Sequence, residues 1–100
     1  MKPIIFDSQT EAEFLAAINY YEGQRQNLGT EFEAEVERAL AEIVENPQRF
    51  PSHGDDGLRK CQLRRFPYTI FYLDMEECIW IAAVAHQRRK PGYWAHRHPE

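Results

Sequence analysis

The second half of the chain alternates apolar and polar residues in a way that predicts three β-strands in an antiparallel meander. Its runs of aromatic and β-branched residues are separated by turn formers, and they lie at 59–65, 66–73 and 78–86. Side chains in the first run alternate between two faces, so Lys60, Gln62 and Arg64 are expected to point outward as a row. The last run is almost wholly apolar, which predicts a central strand covered on at least one face.

The first half follows helical periodicity after a short predicted strand at 2–6. Ser8 and Glu11 have the spacing of a capping box, which predicts a helix from there to about Arg25. The apolar residues of this helix recur at intervals of three and four, and they are Phe14, Leu15, Ile18 and Tyr21. The pair Leu28-Gly29 is expected to end this helical segment.

A second capping box, Thr30 with Glu33, predicts another amphipathic helix, which Asn46-Pro47 ends. Its apolar stripe consists of Phe32, Val36, Ala39, Leu40 and Ile43. Two amphipathic helices joined by a short link form a helical hairpin. The predicted element order is therefore β-α-α-β-β-β.

Length and composition predict one domain over residues 1–100, with 43% hydrophobic residues to form a small core. No apolar run reaches the ~18 residues of a membrane span, and the N-terminal run is too short for a signal peptide. We therefore expect no membrane association and a cytoplasmic location. Cys61 and Cys78 fall on strands separated by a third strand, about 9–10 Å apart. That is too far for a disulfide, so both are expected to be reduced.

The net charge of −4 conceals an uneven distribution of charge along the chain. Residues 1–50 hold 4 basic against 10 acidic residues, whereas residues 51–100 hold 8 basic against 6 acidic residues. A protein divided in this way can present a basic face to an anionic target. For most of the glutamates of the first half, the simpler interpretation is that they form the solvated side of helices.

The segment from His86 to Trp94 carries the most specific candidate chemistry. The predicted strand delivers His86, Arg88 and Arg89 to one end of the sheet, and Pro91-Gly92 folds two aromatic residues back toward them. Guanidinium, imidazole and aromatic groups together suit phosphate and base contacts. Alternatively, the arginines pair with helix glutamates. For Trp94 we favour a buried packing role, while Tyr93 stays a candidate site residue.

Lys60, Gln62 and Arg64 form a second basic row that either binds a phosphodiester or simply keeps a surface strand soluble. A metal site is not expected, since His86, His96 and His98 lack the spacing of a metal motif and two of them lie in a tail. The chain has no P-loop, no dinucleotide fingerprint and no GxSxG motif, so no cofactor is expected.

The order of elements and several residues resemble the RelE/ParE superfamily of bacterial type II toxins. The resemblance covers nearly the whole chain and depends on Arg65-Phe66-Pro67-Tyr68, Ile70, Tyr72, His86, Arg89, Pro91, Tyr93 and Trp94, with Tyr20-Tyr21-Glu22 and Leu28-Gly29-Phe32 in the helical half. It implies an α+β fold in which the helical hairpin packs on a mostly antiparallel four-stranded sheet.

The two branches of the superfamily differ in the basic cluster on the sheet. RelE-like toxins cut messenger RNA on the ribosome, and the resemblance then implies catalytic roles for Lys60, Arg64, His86, Arg88, Arg89 and Tyr93. ParE-like toxins lack most of the cluster and poison DNA gyrase. Here Gln62 replaces one expected lysine and Thr69 stands where an arginine is expected. Whether the protein is an enzyme is therefore open, although the incomplete cluster favours the ParE-like branch.

The resemblance thus implies the toxin of a toxin–antitoxin pair, which inhibits growth through gyrase and is neutralised by a cognate antitoxin. Two alternatives are a ribosome-dependent mRNA endonuclease and an inactive plasmid-stabilisation homologue. The antitoxin tail is expected to dock along the hairpin and the sheet through helix-in-groove contacts and added strands.

Overall fold

A computed structural model describes residues 1–99 as two helices packed on a four-stranded mixed sheet. The elements are β1 (Ile4–Phe6), α1 (Ser8–Gln24), α2 (Leu28–Glu45), β2 (Arg59–Gln62), β3 (Tyr68–Asp74) and β4 (Ile79–His86). The strand order is β1-β4-β3-β2, with β1 parallel to β4 and the other pairs antiparallel. The predicted α+β fold, its element order and the central position of the last strand are confirmed.

The strands are shorter than the sequence pattern predicted. β1 begins at Ile4 rather than at residue 2, and β4 begins at Ile79, after Cys78. β2 ends at Gln62 instead of continuing to residue 65, because the chain turns through Phe66, whose φ is 75°. The outward row is consequently confirmed for Lys60 and Gln62 and wrong for Arg64, which lies beyond the strand.

Both predicted capping boxes are wrong. The N-cap of α1 is Asp7, whose Oδ2 accepts hydrogen bonds from the backbone N–H groups of Gln9 (3.0 Å) and Thr10 (3.4 Å). Asp7 prevails over Ser8 because its own N–H donates to the Ile81 carbonyl at 3.1 Å, which places its carboxylate at the start of the helix.

α2 begins at Leu28, two residues before the expected capping residue Thr30. Its N-cap Asn27 is in the left-handed region (φ 72°) and makes no side-chain cap. The carboxylate of Glu22 in α1 accepts the backbone N–H of Asn27 (2.8 Å) and of Gly29 (3.0 Å) instead. The first N–H groups of a helix have no acceptor within the helix, and here a side chain of the preceding helix accepts two of these hydrogen bonds. Leu28 and Gly29 therefore begin α2, and the prediction that they end α1 is wrong.

The helical hairpin covers one face of the sheet. The predicted stripe of α2 is buried throughout, and in α1 Phe14, Ile18 and Tyr21 pack against the same core. Leu15 departs from the prediction, since it is 54% exposed on the outer face of α1. Apolar residues therefore lie on two sides of α1, only one of which the fold covers.

The opposite face of the sheet is partly covered by the segment that follows β4. This segment turns at Gly92 (φ 79°) and lays Trp94 on the Phe71 ring, with the ring centroids 4.1 Å apart. Trp94 is only 6% exposed, which confirms its predicted packing role. A second small core around these two rings contains Leu58 and Trp80.

Gly29 permits the close approach of the two helices, so we expect Gly29→Ala to be destabilising. A Cβ at this position would lie 2.5 Å from the Ile18 carbonyl oxygen of α1, a backbone atom that cannot move alone. The free energy of unfolding should fall by about 2 kcal/mol, as for other overpacked sites. Chemical denaturation would measure it.

Gly23→Ala in α1 is the matched control, because nothing lies within 4 Å of its added Cβ. Alanine there should be neutral or stabilise the protein by up to about 1 kcal/mol. If the free energy of unfolding fell equally in both variants, the two helices would not be tightly packed against each other at Gly29.

Within residues 1–99, Cys61 and Cys78 are free thiols, as predicted. No described helix has the length and apolar character that crossing a membrane requires.

Candidate functional site

A hollow of about 270 Å³ opens between α1 and the end of β4, and it contains four of the six predicted site residues. It is lined by Glu13, Ala17, Tyr68, Val84, His86, Arg88, Arg89 and Tyr93. The turn after β4 is held by His86, whose carbonyl accepts the N–H of Arg89 and whose Nδ1 accepts the N–H of Arg88, both at 3.0 Å. His86 thereby places both arginines at the rim of the hollow.

Tyr93 forms one wall of this hollow and is in contact with two guanidinium groups. The Arg89 group lies 3.9 Å from the centroid of its ring, and the Arg97 group lies 5.2 Å from it. Burial, assisted by the charge of Glu13, raises the pKa of the Tyr93 phenol above its usual value. Tyr93 therefore stays protonated at neutral pH, so it can donate a proton or a hydrogen bond but is a poor general base.

The open face of the sheet holds a second hollow, of about 440 Å³, around Lys60, Gln62 and Thr69. A neighbouring hollow of about 230 Å³ shares Thr69 and Gln87 with it and reaches His86 and Arg89. Among the described residues that line the larger hollow, Lys60 is the only lysine or arginine. The surface on which a RelE-like phosphate site is expected is therefore mostly uncharged.

Arg64 is directed away from this face, toward α2. Its guanidinium lies 3.3 Å from the Glu42 carboxylate, while its backbone N–H and that of Arg65 donate to Glu35 at 2.9 and 3.0 Å. The Arg65 guanidinium contacts Glu31 at 2.5 Å. Carboxylates of α2 thus fix the turn between β2 and β3 and occupy both of its arginines.

Glu35 is central to this turn, and we expect Glu35→Gln to lower the free energy of unfolding at pH 7 by about 2 kcal/mol. Hydrogen bonds from Arg38, followed by those from the two backbone N–H groups, lower the pKa of Glu35 to about 2. A depressed acid pKa stabilises the fold above the unfolded-state value of 4.5, and this contribution is lost as the pH falls toward 2. The difference between the two proteins should therefore shrink between pH 4.5 and pH 2.

Urea denaturation at several pH values measures this difference. Glu37→Gln is the control, since Glu37 lies exposed on the same helix and its carboxylate makes no hydrogen bond or ion pair within residues 1–99. A difference for Glu35→Gln that stays constant from pH 7 to pH 3 would contradict the assigned role of the carboxylate.

The structure thus distributes the six predicted site residues over three places. His86, Arg88, Arg89 and Tyr93 share the hollow beside α1. His86 and Arg89 also reach the open face, next to the hollow that contains Lys60. Arg64 lies apart from both.

Sequence reasoning missed Arg97, whose side chain is only 3% exposed. Its guanidinium lies 3.6 Å from Asp7 and 2.8 Å from Glu13, and it donates to Thr10 Oγ1 and to the Ala82 carbonyl, each at 3.0 Å. This side chain joins the end of the chain to the start of α1. No local spacing reveals it, because all its partners are distant in sequence.

The class of protein follows from comparison of the chain with known protein families. Residues 4–91 match the family described as ParE toxin of type II toxin-antitoxin system, parDE. The chain belongs to this family, and with it to the RelE/ParE superfamily that its residues resemble.

A solved structure described as "Chromosomal ParDE TA system from P. aeruginosa" has a similar fold. Its TM-score is 0.60 at 16% sequence identity, and the alignment covers 86% of this chain and 96% of that chain. No curated protein sequence matches the chain.

Proposed function

We propose that the protein is a growth-inhibiting toxin that acts in the cytoplasm on DNA gyrase and is neutralised by a cognate antitoxin. The family membership supports the toxin role. The charge of the open sheet face supports the gyrase branch over RNA cleavage, and it is the observation on which the choice of target depends.

Cleavage of RNA on this face would need cations around the scissile phosphate. The position where the resemblance expects an arginine is held by Thr69, which lies beside Gln62 and Gln87. Arg64 is engaged by Glu42, on the other side of the strand end. The loss of one such transition-state donor typically lowers the rate about 10²–10³-fold. An inhibitory interaction with a protein target requires none of these groups.

Ribosome-dependent mRNA cleavage is the second candidate function, and the convergence of His86, Arg88, Arg89 and Tyr93 at one hollow favours it. In that mechanism His86, Tyr93 or Lys60 would serve as acid and base, while the arginines hold the phosphate as the 2′-hydroxyl attacks. The protonated Tyr93 suits the acid role better than the base role. An inactive homologue is the remaining alternative.

One pair of assays distinguishes these functions. The purified protein is added to a gyrase supercoiling reaction and, in parallel, to ribosomes programmed with a defined message. We expect inhibition of supercoiling and an intact message. Site-specific cuts in the message that Arg89→Ala abolishes and Arg49→Ala leaves unchanged would overturn the gyrase proposal. Normal growth on expression without antitoxin, with neither activity in vitro, would indicate an inactive homologue.

The neutralising antitoxin is proposed to use surfaces that the fold leaves uncovered. Leu15 and Tyr20, 54% and 62% exposed, give α1 an apolar outer side that suits a helix laid along the hairpin. β1 lies at the edge of the sheet, where a further strand can pair.

A further inference from the structure

The lysines and arginines of this protein fall into two groups according to whether a carboxylate neutralises them. Seven of the twelve form ion pairs, and these are Lys2, Arg25, Arg38, Arg49, Arg64, Arg65 and Arg97. Arg59 donates to two backbone carbonyls instead. Within residues 1–99, the remaining four have neither an acidic partner nor bonds of this kind, and they are Lys60, Arg88, Arg89 and Lys90. Three of these four are consecutive in the turn after β4.

This concentration of free positive charge is notable on a chain whose net charge is −4. Elsewhere within residues 1–99, acidic side chains pair with the lysines and arginines other than Arg59 and Lys60, so the turn at 88–90 is where an anionic group gains most. Arg88 and Arg89 are exposed. Their guanidinium groups can bind carboxylates in the bidentate manner for which this side chain is suited.

The hollow beneath these arginines has an apolar floor and aromatic walls. Ala17 and Val84 form its floor, and Tyr68 and Tyr93 stand at its sides. Its volume of about 270 Å³ is below the ~300–1,000 Å³ of sites that take whole drug-sized ligands. It is the size of site that accepts one large side chain as an anchor, as hot-spot pockets of protein interfaces do.

We propose that this hollow is a docking site for an acidic peptide segment of a protein partner, which inserts one large apolar side chain while its flanking carboxylates bind Arg88 and Arg89. The hollow complements such a peptide in two ways. Its apolar floor suits the inserted apolar side chain, and the arginines at its rim suit the acidic residues on either side of that side chain. The inference is independent of which macromolecule the toxin inhibits.

A nucleic acid fits the same place less well. Glu13 contributes a carboxylate to the wall, and its Oε1 accepts no hydrogen bond from residues 1–99. Arg97 contacts only the other oxygen, so this negative charge is incompletely compensated and opposes a phosphate placed inside the hollow. The proposed peptide instead places an uncharged apolar side chain there and its carboxylates at the arginines of the rim. Ala17 and Val84 in the floor offer no polar side-chain group to a base, whereas they suit an aliphatic or aromatic side chain.

The test uses NMR titration of the ¹⁵N-labelled, methyl-labelled protein with the peptide acetyl-Asp-Glu-Trp-Asp-Glu-amide. We expect saturable chemical-shift changes of the Ala17 and Val84 signals, with a Kd at or below about 1 mM, a value typical of weak binding. Replacing the tryptophan of the peptide by glycine, or its acidic residues by Asn and Gln, should weaken binding about tenfold or more.

Protein variants separate the two parts of the site. The double variant Arg88→Gln/Arg89→Gln removes the rim, and Ala17→Leu fills the hollow while keeping every charge. Each should weaken binding about tenfold, equivalent to ~1.4 kcal/mol. Arg25→Gln/Arg49→Gln has the same net charge as the first variant and should change binding less than about twofold, since exposed pairs contribute little. Unchanged spectra away from the hollow verify folding.

Four results would overturn the proposal. They are the absence of saturable shifts up to about 2 mM peptide, equal binding of the glycine peptide, equal weakening by the Arg25/Arg49 control, and tighter binding of a uridine pentanucleotide than of the peptide. The last result would assign the hollow to nucleic acid. The supercoiling assay remains a separate measurement, so either proposal can fail without the other.

Discussion

Trp94→Ala is expected to lower the free energy of unfolding by about 3–5 kcal/mol, the usual range for a buried aromatic truncated to alanine. The indole is 6% exposed and stacks on Phe71, with 25° between the ring planes. His53 lies against the same ring, with the centroids 6.0 Å apart. Removing the indole leaves a cavity and exposes the apolar face of the sheet. Urea denaturation followed by circular dichroism would measure the loss.

Tyr20→Ala is the control for this experiment, since Tyr20 is an aromatic residue that is 62% exposed on α1. Its replacement should change the free energy of unfolding by no more than about 0.5 kcal/mol. An unchanged denaturation midpoint for Trp94→Ala would mean that the segment after β4 is not packed on the sheet in solution.

Arg97→Met is expected to destabilise the protein by about 3 kcal/mol, because it removes the charge that two carboxylates share. Asp7 and Glu13 would be left without their cation while 15% and 30% exposed. The Ala82 carbonyl would lose its bond from Arg97 and keep its bond from Thr10 Oγ1, at 2.6 Å. Methionine retains much of the apolar stem, so the loss reports mainly on charge and hydrogen bonding.

Arg49→Met provides the comparison with an exposed ion pair. The Arg49 side chain is 55% exposed and lies 3.6 Å from Glu42, so its loss should cost no more than about 0.5 kcal/mol. Thermal unfolding of both variants at low and high salt measures the contrast. If the two variants unfold at the same temperature, the buried position of Arg97 contributes nothing beyond a surface pair.

The elements of the fold were predictable because hydrophobic periodicity reflects burial directly. Phe32, Val36 and Ile43 repeat at helical spacing and all are buried against the sheet. The apolar run of β4 predicted a central strand, and β4 lies between β1 and β3. Helix starts were less predictable, because Asp7 and Ser8 are both good N-caps and a bond to a distant strand decides between them.

The site was only partly predictable. The spacing of residues along the chain indicates which face of a helix or strand a side chain occupies, but not which distant side chain it pairs with. Alternation assigned Arg64 to the outward row, yet the strand ends at Gln62 and the side chain turns to Glu42. The sequence placed His86, Arg88, Arg89 and Tyr93 at one strand end, and they do line one hollow. Nothing in the local pattern distinguishes Arg97, with its buried guanidinium, from the exposed arginines that precede it.

The parallel pairing of β1 with β4 has a consequence for how the molecule is made. Ile4 is in register with Ile79, and within residues 1–99 the sole strand beside β1 is the last one synthesised. The backbone of β1 can therefore pair only after β4 has been synthesised and has left the ribosome, and contacts of such long sequence separation form slowly. A nascent or truncated chain that lacks residues 79–86 cannot complete this sheet.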